Sequence, residues 1–341
     1  MSFTIRTEPN HHRFSVEPGQ TILDAAIKQR IGLPYGCRDG KCGSCSAELL
    51  EGEVSYPSGK TQALEGQPDN ACLTCQAVPR SDLRLRVAEL ETTADIEVRT
   101  LPCRVAEKTR LNHDVVRLGL KLPEGQRLQF LAGQYLEFIL SDGRKRAFSM
   151  ANAPHDDALV ELHVRRVPGG EFTDFLFDEL PEKAILRIQG PLGTFVLREH
   201  SERPMIFIGG GTGFAPIKGM LEHAFHAGIQ RPMTLYWGAR ARRDLYLPDL
   251  PQRWAAEHAN FSYVPVLSEP DADWDGRRGL VHEAVLEDHP DIADYDVYLS
   301  GPPVMVEAGR SAFEGRGLGM DHMFSDAFEY AADSPGYGKK P

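Results

Sequence analysis

Tyr35-Gly36-Cys37-Arg38-Asp39-Gly40-Lys41-Cys42-Gly43-Ser44-Cys45 is the stretch that decides how this chain is read. Its cysteines run C-x4-C-x2-C, and two more stand downstream in Cys72-Leu73-Thr74-Cys75. With one further thiolate, that spacing holds a [2Fe–2S] cluster. The loop carries three glycines and no large apolar side chain. Small residues let the backbone wrap a cluster and aim amide N–H groups at its sulfurs. Zinc sites usually show paired C-x2-C knuckles, and here only Cys42 and Cys45 form one in this loop. Six cysteines in 341 residues without a signal peptide argue for a reducing compartment, which disfavours disulfides. A cluster moves one electron at a time, so the rest of the chain must supply a donor that releases electrons singly.

Over residues 1–90 the sequence resembles plant-type ferredoxins. In these the last ligand follows a Leu-Thr pair, so the resemblance implies Cys37, Cys42, Cys45 and Cys75 as the metal ligands. Cys72 and Cys103 are read as small buried residues. The flanks predict a β-grasp fold. Phe3 and Ile5, then Phe14 and Val16, alternate as in two strands. Thr21-Ile22-Leu23-Asp24 opens a helix, with Gly32 expected at its C-terminal cap. Leu83, Leu85 and Val87 alternate with arginines in a closing strand.

The length predicts two to three domains. Net charge is −11, from 38 basic and 49 acidic residues, which argues against a nucleic-acid partner. No apolar run reaches the roughly 18 residues of a membrane span, and Met1–Asn10 lacks a signal-peptide core. The expectation is a soluble, cytoplasmic protein. Glu89–Glu97 is polar and reads as a linker, and Ala331–Pro341 as a tail that frays.

From Arg99 to Leu197, short alternating strands separated by turns predict an antiparallel β-barrel. Leu136, Phe138 and Leu140 mark one strand. Val160, Leu162 and Val164 mark another, with Glu161, His163 and Arg165 on its other face. Arg146-Ala147-Phe148-Ser149 resembles the R-x-[YF]-S motif of the ferredoxin reductase superfamily. On an alternating strand Arg146 and Phe148 share a face, a cation for a flavin phosphate and an aromatic plate for the ring. Ser149 supplies a hydroxyl for the flavin N5 edge. Gly170 and Thr173, before a helix at Asp174-Phe175-Leu176, resemble the family's pyrophosphate-cradling motif. Gly190-Pro191-Leu192-Gly193 resembles its third turn. His163 and Val164 complete the expected FAD contacts.

Met205-Ile206-Phe207-Ile208 is a continuous apolar run, as expected of a central parallel strand. Gly209 to Gly213 follows it, and then a helix with Pro216 near its start and Gly228 at its end. Strand, glycine loop and helix in that order let backbone amides approach a pyrophosphate, through Gly210, Gly211, Thr212 and Gly213. Strands at Thr234–Trp237, Tyr263–Leu267 and Val297–Leu299 predict a doubly wound parallel sheet. Ser300-Gly301-Pro302-Pro303-Val304-Met305 resembles the family's C-G-P-P-x-M turn beside the nicotinamide, with Ser300 in place of Cys. Phe324–Phe328 resembles a terminal motif that sets an aromatic, here Phe328, over the flavin.

In this order the motifs resemble iron–sulfur flavoprotein reductases with an N-terminal ferredoxin domain. Local strings lie nearest the CDP-6-deoxy-delta-3,4-glucoseen reductases, with reductase components of phenol and methane hydroxylases as cousins. The resemblance implies a multidomain α+β and α/β chain: a ferredoxin domain 1–90, a linker 91–98, an FAD domain 99–200, an NAD(P) domain 201–330 and a tail 331–341. It also implies hydride transfer from NAD(P)H to FAD and single-electron delivery through the cluster to a partner, a dehydratase or an oxygenase component. A free-flavin reductase is the weaker alternative, since a diffusing two-electron acceptor needs no one-electron relay. Ser149, Ser300 and Phe328 are the residues expected at the hydride site. Arg240, in Gly238-Ala239-Arg240-Ala241-Arg242-Arg243-Asp244, could hold the 2′-phosphate of NADPH. The resemblance points instead to NADH, with NADPH accepted less well.

Overall fold

The computed structural model describes residues 2–90 and 96–328. The expected tail, and residues 91–95 of the expected linker, lie outside them. The chain divides into two compact units, Met1–Glu97 with Gly193–Phe195, and Val98–Leu192 with Val196–Pro341. Among the described residues, no helix is long and apolar enough to cross a membrane.

The first unit is built on a five-stranded mixed sheet of β1 (Phe3–Glu8), β2 (Arg13–Val16), β3 (Ser46–Glu51), β5 (Ala71–Leu73) and β7 (Leu83–Arg86), ordered β2-β1-β7-β3-β5. The short strands β4 (Val54–Ser55) and β6 (Val78–Pro79) pair separately. Helix α1 (Ile22–Lys28) starts as the sequence predicts, the Thr21 hydroxyl accepting from the Asp24 N–H at 3.1 Å. Two more N–H groups of its first turn, Ile22 and Leu23, donate to the carbonyls of Ala77 and Thr74 at 3.0 and 2.9 Å. Donors left over at a helix start are thereby spent on holding the Cys75 segment. The C-terminus differs from expectation. Arg30, not Gly32, takes the left-handed conformation (φ 60°). Ile31 N–H to Ala26 carbonyl and Arg30 N–H to Ile27 carbonyl, at 2.9 and 3.2 Å, close the end as a Schellman motif. Ile5, Val16, Ile22, Leu23, Leu73 and Leu85 are fully enclosed in the core beneath. Cys72 and Cys103 are buried, as read. His12 pairs with the carboxylate of Glu89.

The second unit begins with a barrel of β8 (Arg99–Arg110), β9 (Val115–Lys121), β10 (Tyr135–Ile139), β11 (Lys145–Ser149), β12 (Val160–Arg165) and β13 (Ile185–Leu192), in the order β11-β10-β13-β8-β9-β12. Its ends meet through an antiparallel bridge between Met150 and Leu162, with Ala151 N–H to Glu161 carbonyl at 2.8 Å. The alternating Leu136, Phe138, Val160, Leu162 and Val164 fill its interior. The helix expected from Asp174 starts earlier, as α2 (Glu171–Asp174), and passes into a π turn over Phe175–Glu179.

Beside the barrel stands a parallel sheet of β14 (Met205–Gly210), β15 (Met233–Ala239), β16 (Phe261–Leu267), β17 (Arg277–Arg278), β18 (Asp296–Gly301) and β19 (Met323–Ala327), ordered β17-β16-β15-β14-β18-β19. Helices α3 (Phe214–His226), α4 (Asp249–Glu257), α5 (Val281–Asp288) and α6 (Pro303–Glu314) connect the strands. Parallel strands need such crossovers and are covered on both faces, which is why every residue of β14 and β18 is buried. The terminal motif read at Phe324–Phe328 is mostly edge strand β19, pairing with β18.

Candidate functional site

Around the cysteine loop, sulfur atoms and main-chain donors converge. N–H groups of Asp39 and Cys42 point at the Cys37 sulfur at 3.3 and 3.5 Å, and Cys37 N–H points at the Cys42 sulfur at 3.4 Å. Cys45 and Cys75 sulfurs lie 3.1 Å apart. All six cysteines are unbridged. The thiols thus stand as two pairs, Cys37 with Cys42 and Cys45 with Cys75. Hydrogen bonding from Cys37 pulls the Cys42 thiol down to about 5, and Cys37 is pushed up by the same bond. Four thiols in two pairs under amide N–H groups fit a two-iron cluster, two thiolates to each iron. Leu73-Thr74 is the lever that sets Cys75: the buried Thr74 hydroxyl and N–H both donate to the Cys45 carbonyl, at 3.2 and 3.1 Å.

On the barrel, β11 alternates as predicted, and its register sets Arg146 opposite Phe138 and Phe148 opposite Leu136. Phe148 is half-buried, edge-on to Phe138 at 5.7 Å and tilted to Phe172 at 6.0 Å. Arg146 is half-buried and donates to the Lys145 carbonyl at 2.9 Å, while Ala147 is exposed on the opposite face. Gly170 caps α2. Thr173 Oγ1 there accepts from Val167 N–H at 3.0 Å and so shapes the turn. His163 and Val164 are both buried, on opposite faces of β12. Val164 lies in the barrel core, and His163 has both ring nitrogens engaged, Nε2 donating to Glu161 at 2.8 Å and Nδ1 accepting from the Tyr246 hydroxyl at 3.0 Å. Burial lowers the His163 pKa, consistent with that neutral ring. Both side chains are thus engaged within the protein, His163 by Glu161 and Tyr246 and Val164 by the barrel core.

The glycine loop is enforced by its surroundings. A Cβ on Gly213 would lie 1.9 Å from the Ser300 carbonyl oxygen, and one on Gly210 would lie 2.5 Å from Met305 Sδ. Gly301 (φ 145°) packs on Gly210 in turn. Thr212 is buried in the loop, and Pro302 opens α6. Ser300 is fully buried, and its Oγ has no hydrogen-bond partner among the described residues. Across the β18–β19 register Ser300 faces Asp326. The Asp326 carboxylate accepts from the Ser149 hydroxyl at 3.3 Å. Phe328 is half-buried, its N–H donating to the Gly301 carbonyl at 2.8 Å. Ser149, Ser300 and Phe328 thus all lie against strand β19 and the Gly301 turn. Arg240 stands apart, exposed at the end of β15. Asp244, the first carboxylate after it, is consumed locally: it accepts from Ala241 N–H at 3.0 Å and lies 3.5 Å from His113. An orphaned buried hydroxyl and a backbone cradle that no side chain can enter fit a bound nicotinamide dinucleotide.

Four further residues escaped the sequence reading. Asp326 is one. Arg165, whose Nε donates to Asp114 at 2.7 Å, holds its guanidinium 2.7 Å from where a Gly211 Cβ would stand. Gly219 lets α3 approach the barrel, since a Cβ there would meet the Asn152 carbonyl oxygen at 2.8 Å. Buried Lys218 donates to the Ala151 carbonyl at 3.1 Å and to Glu222 at 2.9 Å, and lies 3.2 Å from Glu161. Burial raises the Glu161 pKa, but the His163 bond and the Lys218 charge outweigh it and hold it at about 2. Burial pushes Glu222 up. A polar seam therefore ties barrel to nucleotide lobe.

Three family models match the chain in succession: the 2Fe-2S iron-sulfur cluster binding domain over residues 5–80, the oxidoreductase FAD-binding domain over 102–197 and the oxidoreductase NAD-binding domain over 207–311. CDP-6-deoxy-L-threo-D-glycero-4-hexulose-3-dehydrase reductase of Yersinia pestis is 40% identical, covering 96% of this chain and 99% of its own. Terephthalate 1,2-dioxygenase reductase component 1 of a Comamonas species is 35% identical, covering 96% and 98%. The crystal structure of an Amycolatopsis cytochrome P450 reductase superposes with a TM-score of 0.77 at 36% identity, covering 96% and 98%. With its thiol loop, barrel and nucleotide sheet in that order, the chain belongs to the iron–sulfur flavoprotein reductases, electron-transfer oxidoreductases that use a [2Fe–2S] cluster, FAD and a nicotinamide dinucleotide.

Proposed function

We propose that this reductase takes its electrons from NADH and delivers them in the cytoplasm to a deoxysugar dehydratase, with residues 1–90, 99–200 and 201–330 as cluster, flavin and nicotinamide lobes. The observation that carries the reading of the site is the meeting of Ser149, Asp326 and Ser300, from three strands of two lobes, beside the Gly301–Gly210 contact. The bound groups supply hydride donation (nicotinamide), two-electron acceptance with single-electron release (FAD) and a one-electron relay (cluster). What the chain supplies is orientation. Arg146 gives a cation to a flavin phosphate, Phe148 gives the surface for its ring with Ala147 contributing main chain, and Gly170 and Thr173 give the turn for its pyrophosphate. Ser149, aimed by Asp326, offers its hydroxyl at the ring edge where the hydride arrives. Gly210, Gly211, Thr212 and Gly213, with Arg165 alongside, receive the coenzyme pyrophosphate. Ser300, Gly301 and Pro302 form the turn for the nicotinamide. The full enclosure of Ser300 agrees with Phe328 as a cover that leaves when the coenzyme arrives. Cys37 with Cys42, and Cys45 with Cys75, each hold one iron.

The dehydratase partner is supported by the Yersinia relative, named as the reductase of a CDP-hexulose dehydrase. The Comamonas relative, named for a dioxygenase, favours the second reading, an oxygenase component. NADH-driven turnover of each purified candidate partner by this chain separates them. Faster reduction of the dehydratase is expected, and faster reduction of an oxygenase component selects the second reading.

A further inference from the structure

We propose that Gln76 is a positioning residue for the iron–sulfur loop, clamping it to the strap Ser58–Ala63 and setting the potential of the cluster. The inference rests on the assignment of Cys75 as a ligand.

Gln76 follows Cys75 directly, and its polar side chain is 8% exposed. A buried amide must find partners for both ends, because an unmet group there costs about 1–3 kcal/mol. Both ends are met by the two segments that flank the cysteines. Its Nε2 donates to the Arg38 carbonyl at 2.7 Å, inside the loop. Its Oε1 accepts from the Ser58 hydroxyl at 2.6 Å, on the strap. A second set of contacts presses loop and strap together. Ala63 N–H donates to the Gly40 carbonyl at 2.9 Å. Gly40 (φ 72°) lies so close to the strap that a Cβ would stand 2.1 Å from the Lys60 carbonyl oxygen and 3.2 Å from Gln76 Cγ.

This arrangement does two things for a cluster. Arg38 holds a left-handed backbone (φ 56°) between Cys37 and Asp39, and a non-glycine residue stays there only where its surroundings insist. The hydrogen bond to its carbonyl is that insistence, and it keeps the Asp39 N–H directed at the Cys37 sulfur. An N–H aimed at a ligand sulfur stabilises the more negative, reduced cluster, so letting the Asp39 N–H drift from the Cys37 sulfur lowers the potential.

The test uses the full-length holoprotein and the variants Gln76→Leu, which keeps bulk and removes both bonds, and Ser58→Ala, which removes one. Wild type must first show two irons per chain and a [2Fe–2S] EPR signal on reduction. Their absence would sink the Cys75 assignment and not the clamp. With those in hand, Gln76→Leu is expected to shift the one-electron reduced-to-oxidised ratio about tenfold toward oxidised, or 59 mV. It is also expected to lose iron to a chelator about tenfold faster, with NADH–ferricyanide turnover unchanged. Ser58→Ala should move both readouts the same way by less. If Gln76→Leu does not retain a cluster, Ser58→Ala alone decides. Wild-type potential and chelator half-life in Ser58→Ala overturn the clamp, as does an unshifted potential in Gln76→Leu.

Discussion

Ser300→Ala is expected to make the protein more stable and slower. The Ser300 side chain is fully enclosed at the end of β18, and no group among the described residues bonds its Oγ. Leaving a buried hydroxyl unmet costs about 1–3 kcal/mol. Alanine removes that hydroxyl but opens a small void, so the net gain is about 1 kcal/mol. For an element of this size, 1 kcal/mol moves Tm by about 2–4 °C. The assay is thermal unfolding of the FAD-loaded protein without coenzyme, beside stopped-flow flavin reduction by NADH. The variant should melt higher and reduce flavin more slowly, the pattern of a polar group kept for function at the expense of stability. A lower Tm with unchanged flavin reduction would refute the reasoning.

Arg165→Ala should raise KM for NADH about tenfold or more, the loss of one charge-assisted bond to pyrophosphate, while FAD content stays unchanged; a normal KM would remove Arg165 from the coenzyme site. Glu161 has a folded pKa of about 2 against an ordinary 4.5, so its contribution is present above 4.5 and is lost as pH falls through that window toward 2. That amounts to about 3 kcal/mol, and Glu161→Gln should flatten the fall in denaturant-measured stability between pH 5 and 3; parallel curves would contradict it. Arg240→Ala should leave the NADH to NADPH ratio of kcat/KM nearly unchanged, since the chain is read as NADH-preferring. A strong NADPH preference in wild type that collapses in the variant would identify Arg240 as the phosphate ligand.

What the sequence made legible was what local chemistry encodes. Cys37, Cys42 and Cys45 lie within one loop whose small residues the cluster demands, and Gly210 to Gly213 must be a tight turn wherever a strand runs directly into a helix. Both could be read without knowing what packs around them. The polar partners that finish the site were not readable, because their meeting is set by tertiary packing. Ser149 and Asp326 stand 177 positions apart, and His163 and Tyr246 stand 83 apart. Periodicity put His163 on the face of a barrel strand opposite Val160, Leu162 and Val164. It could not show that this face is covered by the nucleotide lobe, where Tyr246 and Glu161 take up the ring. Lys218 sits on the buried stripe of α3, where pattern alone gives no reason for a cation; its reason is Glu161 and Glu222. The cap at Arg30 was misplaced because the Schellman bonds, not glycine, hold that left-handed turn.

The central claim, that electrons leave singly through the Cys37–Cys75 cluster after entering at the flavin, is tested most directly by one comparison. Reduction of cytochrome c and of ferricyanide by NADH is measured in wild type and in Cys42→Ser with FAD content matched. The account predicts that the variant loses cytochrome c reduction and keeps ferricyanide reduction, because the flavin still receives the hydride while the relay is gone. Cytochrome c reduction at the wild-type rate in the variant would contradict it.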